Sequence, residues 1–217
     1  MFTGLVKDIG EIKSIRKNQD GLLISVSSTL ISEIDIDDSV SIDGVCQTVV
    51  KIDKINNIFS VQAIGTTLQK TRFKEYRIGT KVNLELALRL SDRLGGHLVS
   101  GHVNNVGSVS KIQKLDKSAM ITIAYPIELS KYIIKEGSIT INGVSLTISS
   151  VKNSSFSVSV IPHTLQETNL GHLKNGDNVN LEVDMIAKYL ENIISKNKVH
   201  DKNKDNILVQ KLKNMGF

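Results

Sequence analysis

The sequence predicts an all-β protein built from one small antiparallel barrel used twice, with a single helix after the second copy. Three observations predict it. The chain repeats itself: Thr67-Leu68-Gln69-Lys70-Thr71 returns as Thr164-Leu165-Gln166-Glu167-Thr168, and Gly79 to Glu85 returns as Gly176 to Glu182, both at an offset of 97 residues. Ile42-Asp43-Gly44-Val45-Cys46 returns as Ile141-Asn142-Gly143-Val144-Ser145 at an offset of 99. That period is the length of a small domain and too long for a solenoid unit. Within each copy apolar and polar residues alternate, and turn dipeptides punctuate the alternation at short intervals.

The elements follow in order. Residues 1–90 form the first copy. Val82, Leu84 and Leu86 alternate with Asn83 and Glu85 there, which sets one strand face toward a core and the other outward. Asp20-Gly21, Asp43-Gly44 and Asn56-Asn57 mark its turns. Residues 91–97 break the pattern and end in Gly95-Gly96-His97, a linker. Residues 98–184 form the second copy. Phe156, Val158 and Val160 alternate with serines, and Asn142-Gly143, Asn153-Ser154 and Asn175-Gly176 mark its turns. Each copy opens on a strand bearing a glycine, Gly4 or Gly101, where a ligand or another backbone can approach closely. A barrel leaves no exposed sheet edge, which suits many short strands in about 90 residues. At 185–195 the period changes. Ile186, Leu190, Ile193 and Ile194 share one face of a short amphipathic helix with no counterpart in the first copy, and a partner subunit is one place to bury it. Residues 196–217 form a Lys- and Asn-rich basic tail, in which Leu208, Leu212 and Met215 suggest a second weak helix.

Composition narrows the function. Hydrophobic residues make up 40% and aromatics 4%, so the cores rest on Val, Ile and Leu. The net charge of +5 comes mostly from the tail, where six Lys against two Asp give +4 and leave +1 for the rest. A basic nucleic-acid groove across the body is therefore not expected. No apolar run suits a membrane span or signal peptide. Cys46 is the single cysteine, which fits a cytoplasmic protein without disulfides.

Three motifs, together with the repeat, carry a resemblance. They are the opening Met1-Phe2-Thr3-Gly4-Leu5-Val6, the segment Gly95-Gly96-His97-Leu98-Val99-Ser100-Gly101-His102, and Gly143-Val144-Ser145-Leu146-Thr147. In these the chain resembles the riboflavin synthase family of the alpha-chain type, the lumazine-binding tandem barrels, over residues 1–195. The resemblance implies two six-stranded Greek-key barrels and a C-terminal helix that joins three chains into a homotrimer. It implies that each barrel binds one 6,7-dimethyl-8-ribityllumazine, that one lumazine gives four carbons to the other, and that no metal or other cofactor takes part. The active site is expected between the first barrel of one chain and the second barrel of its neighbour. Lumazine synthase is the expected pathway neighbour.

The resemblance also implies site residues. Substrate contacts fall on Phe2, Gly4, Leu5 and Val6; on Ser41, Cys46, Gln47 and Thr48; and on Gln62, Ala63, Ile64, Gly65, Thr66 and Thr67. They continue at Gly101, His102 and Val103; at Glu136; at Ser145, Leu146 and Thr147; and at Ser159, Val160, Ile161, Pro162, His163 and Thr164. The chemical roles fall on Cys46, His102, Ser145, Thr147 and Asp184. These types suit the reaction. The 7-methyl of a lumazine is acidic, so one molecule must lose a proton while the other takes a nucleophile at C7, and hydroxyls, a thiol, an imidazole and a carboxylate are sufficient tools. Ordinary readings compete with each role. Ser145 follows a turn and can bond its own backbone; Cys46 can be an inert small apolar residue; Asp184 can be an N-cap; His97 can simply hold the hinge. His102 aligns with Leu5 and Asp184 with Ala87, which would give both titratable groups to the second barrel.

Several positions depart from the family pattern. Glu136 stands where Lys is usual, and a one-residue shift in a strand would turn the cation at Lys135 to the other face. Thr66 replaces Glu, Gln47 replaces Leu, Asp43 replaces Asn, and Arg72-Phe73-Lys74-Glu75 replaces a usual Asn-Leu-Gly. Two other functions compete with the enzyme: a lumazine-binding antenna protein without turnover, and a small-barrel nucleic-acid binder, for which the body offers few stacking aromatics.

Overall fold

A computed structural model describes residues 1–18 and 21–196. The expected helix around Leu208 to Met215, and part of the Asp20-Gly21 turn, lie outside the described residues. Residues 1–184 form one compact unit and the chain from 185 onward another.

The first barrel comprises β1 (Asp8–Asn18), β2 (Gly21–Ser27), β3 (Ser39–Ile42), β4 (Val45–Asp53), β5 (Ile58–Ile64) and β6 (Lys81–Leu86). The second repeats it with β7 (Asn105–Leu115), β8 (Ser118–Ala124), β9 (Ser138–Ile141), β10 (Val144–Lys152), β11 (Ser155–Val160) and β12 (Asn178–Val183). Each closes in the same antiparallel order, β1-β2-β5-β4-β3-β6 and its equivalent. The last strand returns to lie beside the first of three consecutive hairpin strands, which is the Greek key. Single-residue register shifts at Ile12/Ser14 and Val49/Lys51 recur at Val109/Lys111 and Ile148/Ser150. Bulges of this kind bend a strand and help a small sheet close.

Alternation gives each barrel its own core. Ile12, Ile24, Val40, Ile42 and Phe59 fill the first, and Ile121, Ile123, Ile139, Ile141 and Phe156 the second. Asp43-Gly44 and Asn142-Gly143 are tight hairpin turns with all four φ angles between 46° and 80°, the signature of two-residue hairpins. A short helix leaves each barrel after its fifth strand, α1 (Gly65–Lys70) and α2 (Pro162–Glu167). Considered by itself, the second unit begins with a helix, α3, over residues 185–196. Among the described residues no helix is long and apolar enough to cross a membrane.

The barrels meet along a seam of buried polar groups with near two-fold symmetry. Asn83 Nδ2 donates to the Asn142 carbonyl at 2.9 Å, and Asn180 Nδ2 donates to the Asp43 carbonyl at 2.9 Å. The backbone N–H of Asn169 donates to Asn83 Oδ1, and that of Arg72 to Asn180 Oδ1. Gly44 and Gly143 lie on the pseudo-axis: a Cβ on Gly44 would sit 2.8 Å from the Gly143 nitrogen. Asp43, fully buried, accepts from Asn83 N, Asn169 Nδ2 and the Tyr76 hydroxyl. Burial pushes its carboxyl above the ordinary range, while Arg72 and these donors pull the other way.

One expectation needs correction. Gly4 and Gly101 do not lie in opening strands. Each sits in a hook with φ near +77° (76° and 78°), and the segments that carry the hooks pair through the isolated Phe2↔Val99 bridge.

Candidate functional site

The hooks create the site by crossing over. The carbonyl of Gly4 accepts the N–H of Ser145 at 2.8 Å, and the carbonyl of Gly101 accepts the N–H of Cys46 at 2.8 Å. Each copy's opening segment therefore seats on the other copy's barrel. A Cβ on Gly4 would come within 2.5 Å of Ser145 Cβ, and one on Gly101 within 2.6 Å of Cys46 Cβ. Both glycines are needed twice over, for this approach and for their positive φ.

The crossing moves His102. Sequence alignment gives it to the second barrel; the structure sets it on the first. His102, Cys46, Thr66, Thr67, Gly101 and Val103 line one cavity of about 320 Å³. Leu5, the counterpart of His102, lies on the Ser145 side, beneath Gly95.

Ser145 has a partner that Cys46 lacks. His97 Nδ1 lies 2.8 Å from Ser145 Oγ, and the His97 N–H donates to the Thr3 carbonyl at 3.2 Å. His97 is thus more than a hinge. It lies in the linker, outside the two segments that repeat. Burial holds its imidazole below the ordinary 6.5, while Asp184 and Glu182 nearby oppose the shift. A neutral imidazole can accept a hydroxyl proton. Gly96 makes this contact possible: a Cβ there would stand 2.1 Å from the Thr3 carbonyl oxygen and 3.0 Å from Ser145 Oγ.

Alternation sorts the remaining site residues. Cys46 and Thr48 share the outer face of β4, and Ser145 and Thr147 that of β10. Gln62, Ile64, Ser159 and Ile161 lie outward on or just past β5 and β11. Gly65, Thr66, Thr67, Pro162, His163 and Thr164 follow on α1 and α2. Val6 is partly buried against the second core, as its hook's crossing requires. Other expected site residues have buried or inward-turned side chains. Phe2 is fully buried, bridged to Val99 and packed against Gly101; Ala63 and Val160 are core residues; Gln47, buried, and Leu146, partly buried, alternate to the inner side. Glu136 also needs a corrected account. It lies in a turn, not a strand, at φ 66°, with its carboxylate 3.6 Å from the Lys135 ammonium. The face-turning expected of a strand shift does not apply there. Asp184 directly precedes α3 and is partly buried.

Sequence reasoning missed two side chains. Glu85 on β6 accepts from Thr3 N and Thr3 Oγ1, both at 2.7 Å, and from Gly4 N at 3.0 Å. Glu182 on β12 accepts from Ser100 N at 2.8 Å, Ser100 Oγ at 2.6 Å and Gly101 N at 3.0 Å. The repeat itself was the available signal, since both occupy the same place in Asn-Leu-Glu.

Two like barrels, each presenting one polar strand face and one borrowed glycine hook, make this a tandem-barrel protein with two equivalent candidate sites. The lumazine-binding domain model matches residues 3–87 and again 100–184, and the chain belongs to the lumazine-binding riboflavin synthase family. It is 39% identical to the riboflavin synthase of Photobacterium leiognathi, covering 100% of this chain and 99% of the relative. It is 38% identical to that of Actinobacillus pleuropneumoniae, covering 100% of each, and 34% identical to that of Bacillus subtilis, covering 90% and 91%. Like these relatives it is an enzyme, of the transferase class. Among solved structures it is similar to LumP complexed with 6,7-dimethyl-8-(1'-D-ribityl) lumazine. The TM-score is 0.77 at 28% identity, over 84% of this chain and 99% of that one. LumP complexed with riboflavin gives 0.79 at 29% identity, with the same coverage.

Proposed function

We propose that the protein converts two molecules of 6,7-dimethyl-8-ribityllumazine into riboflavin and 5-amino-6-ribitylamino-pyrimidinedione. The observation that carries this reading is a pair of sites alike in backbone and unlike in chemistry: a thiol and His102 on the first barrel, a hydroxyl and His97 on the second. A binding protein needs no such difference. A dismutation needs it, because its two identical substrates have different fates.

The reaction moves four carbons from one ring system to the other. The donor is left as the diamine, the acceptor becomes the isoalloxazine, and no external oxidant is required. One lumazine loses a 7-methyl proton, and the resulting anion spreads over its ring. The other adds a nucleophile at C7. Carbon–carbon bonding and eliminations follow. Ser145, bonded to neutral His97, supports proton transfer. The hooks hold two like molecules in set positions, and such orientation removes much of the entropy barrier.

The active unit is a homotrimer in this reading, with each site completed between the first barrel of one chain and the second barrel of the next. In its support, Ile186, Leu190, Ile193 and Ile194 on α3 are each more than half exposed in the single chain (54% to 57%). The test of the reaction is direct. Mixing the protein with the ribityllumazine should produce riboflavin absorbance and the diamine in equal amounts. The likeness to LumP makes antenna-type binding the competing reading, and a bound but unchanged lumazine spectrum would establish it instead.

A further inference from the structure

Each barrel carries a short row of side chains across three strands. Cys46 on β4 pairs with Ser41 on β3, and Ser41 pairs with Glu85 on β6. In the second barrel Ser145 pairs with Thr140, and Thr140 pairs with Glu182. Residues directly opposite across a ladder share a face, so each row runs from a ligand-side group to a carboxylate. Both carboxylates are buried, Glu85 to 5% exposure and Glu182 to 3%. Both oxygens of each are taken up by one hook, and the two sets of bonds are nearly identical. The far side of each hook is bonded to the opposite barrel, Gly4 to Ser145 and Gly101 to Cys46.

We infer that Glu85 and Glu182 are crossed positioning residues: each carboxylate, rooted in one barrel, sets the hook that walls the ligand site on the other. Glu85 of the first barrel thus governs the Ser145 site, and Glu182 of the second governs the Cys46–His102 site. A carboxylate is suited to this because a hook offers only donors, two N–H groups and one hydroxyl, and charge-assisted bonds are the stronger kind. A glutamine in its place has one oxygen for these donors and turns an NH₂ toward the rest. The inference rests on the lumazine reading for its functional part, though not for its structural part.

The test uses the full chain with Glu85→Gln and Glu182→Gln. Hydrogen exchange is followed by mass spectrometry in peptides containing Ser145 and Cys46, whose N–H groups bond the hooks. Glu85→Gln should speed exchange about tenfold at Ser145, the worth of one buried hydrogen bond, and leave Cys46 nearly unchanged. Glu182→Gln should do the reverse. Riboflavin titrations give the second arm. The affinity loss from Glu85→Gln should be non-additive with Ser145→Ala and additive with Cys46→Ala, and that from Glu182→Gln should follow the opposite pattern. A merely structural carboxylate would loosen its own barrel, so faster exchange at Cys46 in Glu85→Gln, or equal changes in both peptides, would overturn the inference. If either glutamine variant does not fold, Thr3→Val and Ser100→Ala each remove one hydroxyl bond and carry the same crossed expectation at smaller size. If the wild type binds neither riboflavin nor the ribityllumazine, the lumazine reading fails, while the exchange pattern still decides the clamp.

Discussion

At the scale of single residues, the Ser145–His97 pair makes the sharpest claims. If the two act as one unit, Ser145→Ala and His97→Gln should each lower kcat by about 10²–10⁴-fold, the range of general acid–base help. The double variant should be little worse than either single one. Lumazine affinity should stay within about an order of magnitude. Equal, small losses in kcat for all three would remove the pair from the chemistry. The pH profile gives an independent check. The folded pKa of His97 lies below 6.5, so the imidazole stays neutral somewhat below that value, and the acid limb of kcat should fall there. The same shift bears on stability. Between the folded value and the ordinary 6.5 the unfolded chain binds more protons, so stability falls as pH falls through that window. His97→Gln should flatten this slope in pH-dependent melts. The pair was not legible in the sequence. Its members are 48 residues apart, and His97 lies in the linker, outside the segments whose repetition ranks the other residues. Cys46 and Ser145 were legible because the repeat aligns them after the same Asx-Gly turn.

At the scale of elements, the linker and hooks are the critical pieces. Gly96→Ala places a methyl against the Thr3 carbonyl and Ser145 Oγ, so the linker must move. Overpacking of this kind typically costs about 1–3 kcal/mol, and the greater loss should be in turnover, since His97 adjoins Gly96. A Gly96→Ala protein with native kcat would show that the linker does not position His97. The strands themselves were readable from alternation, and the tight turns from Asp43-Gly44 and Asn142-Gly143. The hooks were not. Alignment pairs Gly4 with Gly101 correctly, but periodicity cannot say which barrel a segment seats on. Glu85 and Glu182 were hidden for a related reason. In Asn-Leu-Glu they read as the outward polar residues of an alternating strand, and only the tertiary structure shows what covers them.

At the scale of the whole molecule, the seam joins the barrels, and α3 carries the exposed apolar residues on which the proposed trimer rests. Asp43→Ala would leave three buried donors, on Asn83, Asn169 and Tyr76, without their acceptor, at about 1–3 kcal/mol for each left unpaired. Asp43→Asn keeps one oxygen and matches Asn142 across the pseudo-axis, so it should melt close to wild type. Chemical denaturation of both variants checks the contrast. On α3, replacing Leu190 and Ile194 by Asp should give monomers by sedimentation, with little activity. Each buried aliphatic side chain is worth about 1.5–3 kcal/mol. A fully active monomer would sink the shared-site reading. The helix was legible from its 3.6-residue period, whereas the symmetry of the seam was not, because its asparagines lie in two separate copies.

The crossed hooks also bear on the order in which the protein comes into being. During synthesis the first barrel has all its own strands once β6 emerges, and Glu85 can already hold Thr3 and Gly4. Its ligand wall at Cys46 arrives only with Gly101, and the seat for Gly4 only with Ser145. Neither site can therefore mature alone; both close late, after long-range contacts that are slow to form. Refolding from denaturant should show this as a lag. The β-sheet circular dichroism should recover first, and riboflavin fluorescence quenching should follow in a separate, slower phase. Simultaneous recovery of the two signals would mean that the barrels and their hooks settle in one step.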